Sequence, residues 1–250
     1  MNRCLLLLLL LASFAAAQHD HMRSETQAKP QAQPQSDDGM DHAMHAMSHR
    51  HLDMGPHMKM TAMRPLRAGD QQRADQIVEA AKHVMQHYAD YHEALADGFH
   101  IFLPRLPQKM YHFTKGLYAM EAAFGLNPEH PTSLLYEKTA DGGYKLIGVM
   151  YTAPARETMD ELDSRIPLSI ARWHEHVNFC AAPPGREREY FGPKAKFGLL
   201  GSISTEQECA AAGGKFRSQI FGWMVHVYPN EKTQEAIWSA ERQMEHRHGD

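Results

Sequence analysis

"SLLYEKTADGGYKLIGVMYT", residues 133–152, decides the fold class, because it predicts two neighbouring antiparallel strands. The stretches 133–139 and 144–152 are rich in β-branched and aromatic residues, which favour strands. The Asp-Gly-Gly sequence at 141–143 stands between them. A short turn of this composition joins the two strands of a β-hairpin.

Further strands are predicted on both sides of this hairpin, at residues 109–114, 171–179 and 221–228. Proline or glycine separates them, and no long crossover helix intervenes, which favours antiparallel pairing. We therefore expect a mainly antiparallel, curled or barrel-like sheet.

A long helix is predicted before the strands. Ile77, Ala81 and Val84 continue a pattern of apolar residues at steps of three to four that begins near Asp70. Gly98 is a typical residue for a helix C-terminus. With smaller helices packed on the sheet, the predicted fold class is α+β, with one long N-terminal helix.

Three regions are predicted along the chain. Residues 1–17 have one basic residue, an apolar Leu run and a small-residue end, which is the order of a secretory signal peptide. Residues 18–67 contain no Val, Ile, Tyr, Phe or Trp, so we expect disorder there. Residues 68–250 are predicted to form a single α+β domain. The signal peptide implies a periplasmic or secreted protein with no membrane association after cleavage.

Two cysteines, Cys180 and Cys209, remain after removal of the signal peptide. Thiols in an oxidising compartment usually pair, so a disulfide is predicted. A thiolate metal or catalytic site is the alternative, although the CxxC spacing is missing.

The charge of the chain argues against a nucleic-acid partner. The formal net charge is −4, and no block rich in Lys and Arg occurs. Phosphate backbones require a basic surface, so no nucleic acid is expected to bind.

Residues 40–63, "MDHAMHAMSHRHLDMGPHMKMTAM", contain seven Met and five His. Thioethers select Cu(I), and imidazole accepts Cu(II), Zn or Ni, so the mixed Met/His segment predicts a copper site. It resembles the Met/His-rich segments of bacterial periplasmic copper-resistance proteins. A solvated linker and a reversible oxidant sink remain alternatives. The candidate ligands are Met40, His42, Met44, His45, Met47, His49, His51, Met54, His57, Met58, Met60 and Met63.

A second candidate metal site lies in the predicted strands. Alternate residues of a strand share a face, so His174 and His176 point the same way. His226 shares a face with Met224 in another strand. Histidines and one carboxylate from several strands make a site for Cu, Zn, Fe or Mn, so the metal stays open. The candidate ligands are His112, Glu137, His174, His176 and His226.

The motifs "DGF", "YHF", "LLYE" and "HVY", between residues 93 and 230, resemble an uncharacterised family of secreted bacterial proteins. His112, Glu137 and His226 stand at the motif positions of that family. Met150 replaces a usual Glu, and Phe113 a usual Tyr. The resemblance implies no activity. "HEH" followed by "HVYPN" also resembles the ends of the two cupin metal motifs, although the usual Glu after HxH is missing.

These patterns lead to one main interpretation and two alternatives. The main one is an exported copper-binding protein that captures, delivers or detoxifies the metal. The first alternative is a secreted mononuclear metalloenzyme with a cupin-like His site, so catalysis stays undecided. The second is a secreted interaction domain whose histidines are incidental.

Overall fold

The computed structural model describes residues 55–105, 108–239 and 242, which lie within one compact unit. The described chain contains a seven-stranded sheet in which all pairs are antiparallel. The strands are β1 (Met58–Met60), β2 (His100–Ile101), β3 (Tyr111–Thr114), β4 (Ser133–Lys138), β5 (Tyr144–Ala153), β6 (His174–Ala181) and β7 (Lys215–Val227). Their spatial order is β1-β6-β7-β5-β4-β3-β2, which makes β1 and β2 the edges.

The helices of the described chain are short, apart from the first. They are α1 (Asp70–His87), α2 (Tyr91–Ala96), α3 (Gly116–Glu121), α4 (Met159–Arg165), α5 (Glu206–Ala211) and α6 (Gln234–Ile237). A 3₁₀ turn covers Glu187–Tyr190. Among the described residues, no helix is both long enough and apolar enough to cross a membrane.

The predicted fold class is wrong in two respects. The α+β prediction placed one long N-terminal helix on a curled or barrel-like sheet, whereas the sheet is not closed into a barrel and its edges β1 and β2 do not pair. The predicted helix from Asp70 to Gly98 is two helices separated at Tyr88–Asp90.

Asp90 explains the break in the helix. Its backbone is extended, and its carboxylate accepts a hydrogen bond from the backbone N–H of His92 at 3.0 Å. An aspartate in this role caps a new helix, because its side chain replaces the carbonyl that a continuous helix supplies. The apolar period runs through both helices, which is why the periodicity alone does not reveal the break.

The main core lies between α1 and one face of the sheet. Ile77, Ala81 and Val84 of α1 are buried there. The sheet contributes alternate residues, whose side chains share one face. Tyr136 links the two layers, since its hydroxyl donates a hydrogen bond to the carbonyl of Tyr88 at 2.8 Å. The buried residues of this face include Leu134, Tyr136, Val149, Tyr151, Trp173, Trp223, Val225 and Val227.

The sheet begins earlier in the chain than the predicted domain boundary at residue 68. β1 and the buried side chains of His57 and Thr61 belong to the folded unit. The backbone N–H of Thr61 donates to the carbonyl of Trp173 at 2.9 Å. The predicted signal peptide, and the predicted disordered segment as far as residue 54, lie outside the described residues.

The disulfide prediction is confirmed, since Cys180 at the end of β6 is bonded to Cys209 of α5. Both cysteines are fully buried in a small cluster with Phe197 and Ile203. The bond therefore ties α5 to the sheet, away from the main core.

Candidate metal centre

The sheet face opposite the main core carries histidine and methionine side chains from five strands. Residues directly opposite one another in antiparallel strands lie on the same face, and so do alternate residues within a strand. The paired registers, together with this alternation, place the whole set on one side. This set, called here the His/Met face, consists of Met58, Met60, Met110, His112, Met150, His174, His176, Met224 and His226.

Each of three histidines on this face lies directly opposite methionine on a neighbouring strand. Side chains at such positions start about 5 Å apart at their Cβ atoms, which is within contact range. His174 is enclosed on both sides, by β1 and by β7. The pairs are Met58 with His176, Met60 with His174, Met224 with His174, and Met150 with His226.

The four imidazoles form a row across the face. The ring centroids of His176 and His174 are 5.5 Å apart, and those of His174 and His226 are 5.2 Å apart. The His112 ring follows at 5.5 Å from His226. The strand histidines indicated by the sequence therefore lie side by side.

The closeness of His112 to His226 requires a concave face. Their strands, β3 and β7, are separated by β4 and β5 in the sheet. Three strand intervals in a flat sheet span about 14 Å. The sheet must bend toward the His/Met face to bring these two rings within 5.5 Å. The ring of Phe102, which follows β2, reaches Phe221 of β7 at 5.8 Å in the same way.

Exposure differs along the row. His174 and His226 are each only 1% exposed, and their partners Met224 and Met150 are 6% and 7% exposed. His176 at one end and His112 at the other are half-buried. Met58 is half-buried as well. The two central histidines of the row are therefore buried, and the two at its ends are partly exposed to solvent.

Tyr228 lies beside the buried centre of the row, at His226. Its hydroxyl lies 3.4 Å from Nδ1 of His226 and donates to the sulfur of Met110 at 3.7 Å. The phenol ring occupies space beside Gly148, where a Cβ atom would lie 2.8 Å from the ring. Glycine at this position therefore makes room for the ring that contacts His226.

A bulge in β7 lies next to the His176 end of the row. His174 pairs with Met224 and His176 pairs with Ile220, so β7 carries extra residues between them. Phe221 within this bulge has φ of 64°, which is strained for a bulky side chain. Its exposed ring lies 6.4 Å from that of His176. Bulges often occur beside functional sites, where they redirect a side chain.

Of the two carboxylates in the neighbouring strands, one is exposed at a strand end and the other occupies the opposite face. Glu137, a candidate ligand from the sequence, is exposed at the end of β4 and lies opposite Lys145. Glu175 lies between the two histidines of β6, but it occupies the other face, where it contacts Lys59 at 2.9 Å. The described imidazoles of the row are thus accompanied by neutral thioethers.

His57 of the Met/His segment has a different environment from the one expected of a copper ligand. It is buried, with Nδ1 3.0 Å from the carbonyl of Asn178 and Nε2 2.7 Å from the carbonyl of Gly201. Both nitrogens face backbone oxygens, so the ring holds the chain to β6. Met63 is exposed, at 41%. The candidate ligands outside the described residues are Met40, His42, Met44, His45, Met47, His49, His51 and Met54.

The chemistry of this face suits a soft ion of low charge. The rings of two imidazoles on one tetrahedral ion would have centroids about 5 Å apart, close to the spacing of the row. In the described part of the chain, no three His, Cys, Asp or Glu side chains are arranged to hold a metal ion. From the described residues, a site here would combine adjacent imidazoles with methionine sulfur, a mixture that favours Cu(I) over Zn²⁺.

The role of β1 in this site is missing from the sequence-based reading. The sequence places residues 58–60 in the predicted disordered segment, because residues 18–67 lack Val, Ile, Tyr, Phe and Trp. The alternation of Met, Lys and Met is the signal of a short amphipathic strand. Three residues are too few for this signal to stand out from the surrounding composition.

The chain matches no family model, no curated protein and no solved structure. The resemblances to the secreted family, to copper-resistance segments and to cupin motifs therefore remain predictions.

Proposed function

We propose that this is an exported copper-binding protein that holds Cu(I) on the His/Met face of its sheet. The observation that carries the proposal is the set of four cross-strand His–Met pairs on one concave face. Imidazole and thioether are both neutral ligands, and thioether is the softest ligand available to a protein without free thiolate. Both described cysteines are in the disulfide.

Charge favours the monovalent ion. The Born cost of transferring an ion from water to a medium of low dielectric constant grows with the square of its charge. His174 and His226 are almost completely buried, whereas Glu137 is exposed and Glu175 occupies the other face. The desolvation cost of a divalent ion at this position is roughly four times that of Cu(I), and the two strand carboxylates of the described residues do not offset it. Export is proposed from the predicted signal peptide, and the disulfide is consistent with an oxidising compartment.

The Met/His segment upstream is proposed to capture copper and to raise its concentration near the folded unit. Its ligands are the same two types that line the His/Met face. Two sites with the same ligand chemistry would serve for capture and retention. This division fits a carrier or resistance protein, whose task is to bind the ion tightly.

A competition titration of the full chain against a chromophoric Cu(I) chelator tests the proposal. We expect His174→Asn to lower the number of tightly bound Cu(I) ions by one. His83→Asn is the matched control, because His83 is an exposed histidine on α1. Met224→Leu preserves side-chain volume, so a folded variant is available if His174→Asn is unstable.

Equal copper retention by the parent chain, His174→Asn and Met224→Leu would overturn the proposal for the folded unit. Preference for Zn²⁺ over Cu(I) in the parent chain would overturn the choice of metal.

A further inference from the structure

The two accessible ends of the imidazole row differ in the ligands that they offer. At the β1 end, the half-buried His176 lies opposite the half-buried Met58. At the other end, His112 lies opposite Leu135, which has no donor atom. The nearby sulfur of Met110 accepts the hydroxyl of Tyr228. A complete soft-ligand pair is therefore present at the β1 end.

We propose that Met58 and His176 form an outer Cu(I) position through which the ion reaches the inner position at His174, Met224 and His226. This inference rests on the proposed function, because it assigns an entrance to the same site. Exposure falls from the outer pair to His174 and His226, which are 1% exposed.

The distances allow the ion to pass by exchange of ligands. The rings of His176 and His174 are 5.5 Å apart, and Met60 lies opposite His174 on the same strand as Met58. An ion held by Met58 and His176 can gain Met60 or His174 before it loses its first ligands. Copper remains Cu(I) throughout, since only coordinate bonds form and break. No bare ion has to cross the buried region, which would carry a large desolvation cost.

The position of β1 is well defined, as a ligand-bearing strand requires. His57 immediately before it contacts two backbone carbonyls, and Asn178 donates from its side chain to the carbonyl of Pro56 at 2.6 Å. Thr61 immediately after it bonds to the backbone of Trp173 in both directions. Edge strands normally need such protection. Here the same hydrogen bonds hold Met58 and Met60 opposite β6.

The first experiment uses the full chain labelled with ¹³C in the methionine methyl groups and titrated with Ag(I), a diamagnetic stand-in for Cu(I). Single Met→Leu variants assign the resonances. We expect the Met58 methyl resonance to shift together with those of Met60 and Met224. Met120 of α3 is the control, because it is 64% exposed and its resonance should stay unchanged.

The second experiment measures the rate of Cu(I) uptake from a chromophoric chelator. We expect Met58→Leu to slow occupation of the inner position by about tenfold, because a soft ligand at the entrance is replaced by a hydrocarbon. The inner position should still fill at equilibrium. Met120→Leu, which makes the same substitution outside the His/Met face, should take up Cu(I) at the rate of the parent chain.

The outcomes separate the two proposals. A shift of the Met224 methyl resonance without one at Met58, together with an unchanged rate of Cu(I) uptake by Met58→Leu, would refute the outer position at Met58. The proposed inner copper site would not be affected by that result. Unchanged Met58, Met60 and Met224 resonances in saturating Ag(I) would overturn both.

Discussion

Met60 of β1 lies directly opposite His174 of β6, on the same face of the sheet. One of these residues belongs to the Met/His-rich segment and the other to the strand histidines. The sequence suggests two separate candidate sites, and this pair joins them. The same register places Met58 opposite His176.

Gly148→Ala tests how closely β5 must approach Tyr228. A Cβ atom at residue 148 would lie 2.6 Å from the carbonyl oxygen of Val227 and 2.8 Å from Cδ1 of Tyr228. We expect a loss of about 1–3 kcal/mol in the free energy of unfolding, measured by urea denaturation, since the packed strands cannot yield. Gly125→Ala is the control, because nothing lies within 4 Å of its Cβ position. Equal stability of the two variants would contradict this account.

Replacing both Cys180 and Cys209 by serine is expected to lower the free energy of unfolding by about 3 kcal/mol, because the bond closes a long loop in the unfolded chain. Urea denaturation with and without reductant measures the effect. The parent chain should respond to reductant, whereas the double variant should not. Intact mass of the mature protein should rise by two hydrogens on reduction, and two free thiols before reduction would refute the pairing.

Asp70→Asn tests a charge effect at the start of α1. Hydrogen bonds from Ser169 and Arg73, followed by one from the Arg67 backbone, lower the pKa of Asp70 from 3.8 to about 2. Because the folded state favours the ionised carboxyl, Asp70 contributes stability above pH 3.8 that is lost as pH falls toward 2.

The parent chain should therefore be more stable than Asp70→Asn at neutral pH, and the difference should shrink between pH 3.8 and about 2. Urea midpoints measured across this range provide the comparison. Asp75→Asn, at an exposed position on the same helix, controls for the loss of a surface charge. Parallel curves for the parent and Asp70→Asn at all pH values would argue against the effect.

His57→Ala is expected to lower the free energy of unfolding by about 1–3 kcal/mol, because the carbonyls of Asn178 and Gly201 lose their partner. Thermal or urea denaturation measures the loss. His100→Ala is the matched control, since His100 is exposed on the edge strand β2. Equal free energies of unfolding for the two variants would show that the His57 hydrogen bonds do not hold β1 in place.

Local patterns predicted much of this sheet. The hairpin of β4 and β5 follows from its strand composition and turn residues, because both signals lie within a short stretch of sequence. The pairing of Cys180 with Cys209 can also be predicted from the sequence, since only two cysteines remain in the predicted mature chain. By contrast, Asp90 interrupts an apolar period that continues on both sides of it, so the break in the helix depends on one capping side chain.

The sequence by itself determined the ligand types, the alternation that puts His174 and His176 on one face, and the signals for the hairpin and the disulfide. These features depend on neighbouring residues and on composition. Only the tertiary structure decided that β1 pairs with β6, that Met60 and Met224 flank His174, and that bending brings His112 to His226. These relationships depend on contacts between residues 50 or more positions apart in the chain, and the local period of two residues is the same in every alternative pairing.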